Sequence, residues 1–370
     1  MQSVRNVEYH QQNTPKYCGP ATAMMILRSI GGQAVQQDDL HTILDQNVDV
    51  WSTTPDGLAL GLNTLAPLPL RNTFSVVSSS SAEEGSTTIV QVVQSPNAPP
   101  PAALVFGSGH WVVVTDVNLA PPGDGTDGAA LLGFYINSPS VTPPDAPSDH
   151  QAADQCGSDA AHGRLEADQY VSYAGWTSDF FTGYADSKRQ VFVTVCSSAR
   201  TQVALRPPTV PPVPILLGRS NGLIDPDTAA TQAVGAVASH GIDTRGPLSA
   251  ALSGVVPGVP LLVRRIDVLD WHYYLVPLLR NGVAVGVARI DAVHGVFMGA
   301  SAVKPGDIDD LSISGSDEAL LLRDGSVAPE LVWRPCRETR SPFEPFQQIV
   351  GLGGSVQYRR LGEDFRPTPL

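Results

Sequence analysis

The run Tyr17-Cys18-Gly19-Pro20-Ala21 places a cysteine at the head of an apolar segment. The thiolate is the nucleophilic form of cysteine, and the positive end of a helix stabilises it. A cysteine opening a helix therefore suits attack on a carbonyl carbon. Gly19 has no side chain and is expected to let a substrate backbone approach. Gln12 lies six positions earlier, and its amide could donate to a developing oxyanion beside the Cys18 backbone N–H. Gly109-His110-Trp111 opens a second apolar run that reaches Val117. A histidine there can act as base toward Cys18 and then as acid toward the leaving amine. Such a pair needs the sulfur roughly 3–4 Å from a ring nitrogen. A third run ends in Ile136-Asn137-Ser138-Pro139. If its strand pairs with that of His110, the Asn137 side chain is expected to accept from the ring and fix its tautomer.

These residues need a helix and two neighbouring strands. Gly19 to Ile30 reads as the helix, with Pro20 in its first turn, an apolar face from Ala23, Met24, Ile26, Leu27 and Ile30, and Gly31-Gly32 as its stop. Asp38 to Leu44 is a second helix with an Asp cap. Thr54-Pro55 opens a third, running to about Leu65. A Ser-rich loop at Ser78–Ser81 is followed by expected strands at Ala103–Phe106, Trp111–Val117, Leu131–Ile136 and Gln190–Val195. Ser138 to Ala161 reads as a long loop near the site. Helices first and an antiparallel sheet afterwards is an α+β order.

The residues that carry chemistry resemble those of papain-like cysteine peptidases, and within that fold the C39-like peptidase family. The resemblance rests on Gln12, on Cys18-Gly19-Pro20-Ala21, on Gly109-His110 with Trp111–Val114, and on Asn137 with Pro139. It covers roughly residues 5 to 196. It implies a papain-like domain of helices packed on an antiparallel sheet, and hydrolysis of a peptide bond through an acyl-enzyme. Cys18, His110, Asn137 and Gln12 would form the site, with no cofactor or metal. C39-like members often carry Asp where Asn137 stands, whereas papain uses Asn. The best-known C39 enzymes cleave leader peptides within membrane exporters, and this chain has no segments of that kind.

RPPTVPPVP over Arg206–Pro214 favours an extended spacer. The expected division is a peptidase domain over 1–197, a Pro-rich linker over 198–216 and a smaller α+β domain over 217–370. That second domain opens with a helix over Pro226–Ser239, capped by Asp225 and closed by Gly241. Strands are expected at Pro260–Ile266, Tyr273–Leu279, Val283–Ile290, Val296–Ala300, Leu331–Arg334 and Val356–Arg360, with a hairpin turn at Asn281-Gly282. It shows no catalytic constellation and is expected to bind substrate or a protein partner. Trp271-His272-Tyr273-Tyr274 reads as a strand with an exposed edge.

Composition narrows the partners. The chain of 370 residues is 42% hydrophobic, enough for real cores, and carries a formal net charge of −13. An acidic surface repels phosphate backbones, so nucleic acid is not an expected partner. No apolar run reaches membrane-spanning length and Met1–Asn13 lacks an apolar signal core, so the expected location is the cytoplasm, with signal-independent export left open. Cys18, Cys156, Cys196 and Cys336 show no zinc spacing. Cys156 and Cys196 could form one bridge in an oxidising compartment. Asp124 and Asp127 hint at a calcium loop but lack its full spacing. Asp309, Asp310, Asp317 and Glu318 read as a solvated acidic loop. Trp111 and Trp176 read as core or as walls of the site. His10 has no pattern that would make it a base. Two rivals to the peptidase remain open: an amidase or acyl transferase on the same fold, and a binding protein that keeps the fold without turnover.

Overall fold

Pro20 in the first turn and a run of Ala, Met, Ile and Leu produce α1 (Cys18–Ser29) in the computed structural model. It describes residues 7–14, 17–44, 53–107, 109–120, 129–139, 168–186, 189–198, 205–206, 222–303, 330–334, 341–350, 355–360 and 363–365. The Pro-rich linker beyond Arg206, nearly all of the 138–161 loop, Asp124, Asp127, Cys156, Cys336 and the acidic loop from Asp309 to Glu318 lie outside those residues. So do most positions of the 351–370 segment. The described chain divides into two compact units, with the change of unit close to residue 212.

In the first unit, α1 is buried on every side from Cys18 to Leu27, so it is a core helix and not an amphipathic cover. It ends where Gly31 takes φ +67° and Gly32 N–H donates to Leu27 O at 2.7 Å, a left-handed stop that glycine adopts without strain. The next helices are α2 (Gln37–Leu44) and α3 (Pro55–Leu65). Thr54 Oγ1 accepts from Gly57 N–H at 3.1 Å and caps α3, with Pro55 at its first position. Leu40, Leu44, Leu58, Leu62 and Leu65 close around Met24, Met25 and Leu27 of α1 in one apolar cluster.

A strand and a helix then appear at and beyond the expected Ser78–Ser81 loop, in stretches for which no element was expected. β1 (Phe74–Ser79) precedes α4 (Ala82–Val93). The Thr- and Val-rich composition of Thr87–Val93 favours a strand. Two things override it. Ser81 Oγ accepts from Glu84 N–H at 3.1 Å and starts the helix. Gly85, Ser86, Ile89, Val90 and Val93 then recur at helical spacing and are buried.

The sheet of this unit comprises β1, β2 (Ala102–Val105), β3 (His110–Ala120), β4 (Ala129–Asn137), β5 (Gln169–Ser172), β6 (Tyr184–Asp186), β7 (Arg189–Ser197) and the short β8 (Leu205–Arg206). Its antiparallel order runs β1, β7, β2, β3, β4, β5. β6 extends the pairing of β7, and β8 lies parallel to β4. One helical turn, α5 (Tyr173–Gly175), runs into a π-helical turn at Trp176–Phe180. Phe106, expected to end a strand, instead has φ +53°, and the chain leaves β2 there to turn into β3.

The second unit follows its sequence signals closely. α6 (Pro226–Ser239) has Asp225 as its cap, accepting from Thr228 N–H at 3.0 Å. After α7 (Ser249–Leu252) come β9 (Val256–Pro257), β10 (Leu261–Arg265), β11 (His272–Arg280), β12 (Val283–Asp291), β13 (Phe297–Ala302), β14 (Glu330–Trp333), β15 (Phe346–Val350), β16 (Val356–Arg360) and β17 (Glu363–Phe365). β11 and β12 form the Asn281-Gly282 hairpin, with φ +55° and +79° at the two turn residues. That combination is available to Asn and Gly at little cost. The pairing order is β17, β16, β15, β14, β10, β11, β12, β13, antiparallel throughout except β14 beside β10. β11 therefore lies inside the sheet, and the exposed edge expected at Trp271-His272-Tyr273-Tyr274 is not found. Tyr273 and Tyr274 are buried, and Trp271 Nε1 donates to Asp291 Oδ2 at 2.9 Å. The architecture is mixed α and β with mostly antiparallel pairing. Among the described residues, no helix is long and apolar enough to cross a membrane.

Candidate functional site

Cys18 is the first residue of α1 and is buried. Its cap position, Tyr17, contributes no side-chain hydrogen bond to the helix start. The helix is fastened one turn later, where Thr22 Oγ1 donates to Trp111 O at 3.4 Å. Trp111 in turn donates its Nε1–H to Thr53 O at 2.9 Å. Cys18, Trp111, Val113, Leu104 and Ala102 share one apolar cluster. The space over Gly19, expected to admit a substrate backbone, is filled by Thr53. A methyl group at Gly19 would stand 2.2 Å from Thr53 Oγ1. The glycine therefore serves close packing of the chain on itself.

His110 is fully buried at the first position of β3. Its orientation follows from register. Val105 pairs with His110, Leu104 with Trp111 and Ala102 with Val113. Side chains alternate across a strand. Trp111 and Val113 face the layer of α1, α2 and α3, and His110 leaves the strand on the other face. There its ring stacks on Phe106, with centroids 6.4 Å apart, and Phe106 meets Phe180 at 4.9 Å. Cys18 Sγ makes no hydrogen bond to His110 or to any other described residue. Helix start and strand start are thus brought together by Thr22 and Trp111, while the two reactive side chains set out from opposite faces. His110 is the terminal residue of its strand, so no further pleat separates its ring from the end of the sheet.

Asn137 does not reach the His110 ring. Its Nδ2 donates to Val7 O at 3.2 Å, and its Oδ1 accepts from Asp168 N–H at 2.8 Å. The pairing explains why. Asn137 lies opposite Val113, and residues directly opposite in an antiparallel pair share a face. Asn137 therefore belongs to the face of Trp111 and Val113. The next residue, Ser138, belongs to the face of His110, and Ser138 Oγ meets His110 Nε2 at 3.1 Å. Ser138 carries no sequence signal for this contact, because its placement depends on the pairing of Val113 with Asn137.

Gln12 is buried, and its Nε2 donates to Thr14 O at 2.8 Å. One N–H of the amide thus serves its own turn. The segment around it is clamped by α2: Gln37 Oε1 accepts from Asn13 N–H at 2.9 Å, and Gln37 Nε2 donates to Gln11 O at 2.6 Å. His10 belongs to the opposite end of α1. It is 3.5 Å from Glu8, which also lies 3.6 Å from Arg28 in the last turn of that helix. Ten residues of α-helix separate Arg28 from Cys18, roughly 15 Å. Burial first, and then the Arg28 charge, lower the pKa of His10, against the opposing pull of Glu8. Trp176 packs on Phe134 and Phe181 and donates to Ser86 Oγ at 3.1 Å, which makes it a core residue.

Chemically, the described site offers a buried thiol at a helix start and a buried imidazole held by a hydroxyl. Comparison with family models, with characterised proteins and with solved structures finds no match to this chain.

Proposed function

We propose that the first unit is a cysteine hydrolase of the papain-like, C39-like kind, with a peptide or protein substrate. One observation carries this reading. The turn of α1 that follows Cys18 is bonded through Thr22 to Trp111, the residue after His110. A helix that begins with a thiol is thereby tied to a strand that begins with an imidazole. His110 takes the thiol proton, and the Cys18 thiolate adds to the scissile carbonyl carbon. The oxyanion so formed is held by the Cys18 N–H. Collapse breaks the C–N bond, and the imidazolium returns its proton to the departing amine. Water, deprotonated by His110, then adds to the thioester and releases the acid and the free thiol. In this scheme Gln12 joins the oxyanion site through the amide N–H that does not bond Thr14 O. Amide hydrolysis or acyl transfer on other substrates uses the same steps. The second unit would supply substrate or partner binding.

A second reading is a binding protein without turnover. It is favoured by the opposite-face start of His110 and by the absence of a hydrogen bond at Cys18 Sγ among the described residues. Alkylation separates the two. The hydrolase requires Cys18 to react with iodoacetamide or an E-64-type epoxide near pH 7 far faster than Cys156, Cys196 or Cys336, and requires His110→Ala to abolish that selectivity. Slow, uniform labelling of all four thiols rejects it.

A further inference from the structure

We propose that Ser138, and not Asn137, is the positioning residue for His110. Its Oγ accepts the Nε2–H of the neutral imidazole, so that the ring lone pair which the proposed reaction needs lies on Nδ1. The catalytic meaning of this contact rests on the hydrolase reading above.

The contact itself stands on three observations. Ser138 Oγ lies 3.1 Å from His110 Nε2, with both residues almost completely buried. The pairing of Val113 with Asn137 puts Ser138 on the His110 face and Asn137 on the other. Ser138 is also fixed from both sides. Tyr9 Oη donates to its carbonyl at 3.3 Å, and Asn137 beside it is held by Val7 O and Asp168 N–H. The hydroxyl is thus a rigidly mounted partner.

A serine hydroxyl can donate or accept, and the chemistry chooses between the two. If Nδ1 is to take the thiol proton, the resting proton must sit on Nε2, where only an acceptor stabilises it. Ser138 Oγ is that acceptor. The role is one that an Asn carbonyl oxygen could play, met here by the following residue.

The test is long-range 1H–15N correlation on the full chain labelled with 15N-histidine, with His110 assigned by its loss in His110→Gln. Above the titration of the ring, His110 should be mainly the Nε2–H tautomer. Ser138→Ala should lower the ratio of Nε2–H to Nδ1–H about 3–10-fold, the range of one hydrogen bond. Ser138→Thr, which keeps the hydroxyl, should restore it. An Nδ1–H tautomer in the unmodified protein overturns the assignment, and that measurement needs no variant to fold. An unchanged ratio in Ser138→Ala overturns it as well. Selective Cys18 alkylation with an unchanged ratio would remove Ser138 alone, whereas uniform alkylation would remove the pair it is proposed to serve.

Discussion

Gly19→Ala probes how the candidate nucleophile is packed. The added methyl would lie 2.2 Å from Thr53 Oγ1, 2.3 Å from its Cβ and 2.7 Å from its Cγ2. All three distances are more than about 0.7 Å inside ordinary carbon contact. Rotating the Thr53 side chain moves Oγ1 and Cγ2 but leaves Cβ in place. The backbone beyond it is anchored by Trp111 Nε1 at Thr53 O and by the adjoining Thr54 cap of α3. The strain must therefore spread into either helix. Overpacking of this kind costs about 1–3 kcal/mol. The better helix propensity of alanine offsets at most about 1 kcal/mol, and less in a first turn. A net loss of about 1–2 kcal/mol is expected from urea unfolding followed by tryptophan fluorescence. Thr53→Gly removes all three contacting atoms, so in that background Gly19→Ala should cost almost nothing. Thr53→Ser keeps Oγ1 and Cβ and should not relieve the clash. A coupling energy of at least about 1 kcal/mol between positions 19 and 53 is the signature. An equal cost with and without the Thr53 side chain, or no cost at all, would refute the packing argument.

Two further outcomes can be checked in the same way. Asn137→Ala should destabilise the protein by about 2–3 kcal/mol, because it leaves the buried Val7 carbonyl and Asp168 N–H without their partners; equilibrium unfolding measures this, and a neutral effect would contradict the structural role. Burial lowers the pKa of His240 to about 4, so the folded chain holds this ring neutral where the unfolded chain binds a proton. Stability from this group is complete above the unfolded value near 6.5 and is lost as pH falls from there through 4, by up to about 3 kcal/mol. His240→Phe keeps a ring against Phe297, and unfolding midpoints at pH 7.5, 5.5 and 4 should fall less steeply in the variant than in the unmodified protein.

Local chemistry made much of the fold legible. Thr54 with Pro55 and Asp225 with Pro226 mark helix starts that the structure reproduces residue for residue. Asn281-Gly282 marks its hairpin because left-handed backbone at both positions admits few other residues. Thr87–Val93 carries no helix signal of its own, because its β-branched residues state a strand preference that burial outweighs. The site divides along the same line. Cys18 at a helix start and His110 at a strand start are local facts, and both hold. Which way His110 points, and that Ser138 rather than Asn137 meets it, are properties of the register between two strands, which neither strand displays by itself. That Thr53 fills the space over Gly19 is a long-range contact with no sequence signature.

The N-terminal strap has a consequence for the order in which this protein is made. Residues 7–9 bond to Asn137 and Ser138, across 130 and 129 positions, and Asn137 in turn waits for the backbone of Asp168. During synthesis α1, α2 and α3 emerge first and have one another to pack against. The strap is made first, but its partners Asn137 and Ser138 arrive more than a hundred residues later. Contacts of such long range form late and slowly. A nascent or truncated chain that ends before Ser138 therefore carries the thiol helix without the hydroxyl proposed to position His110, so any activation of Cys18 that depends on it would be withheld until that segment has been made.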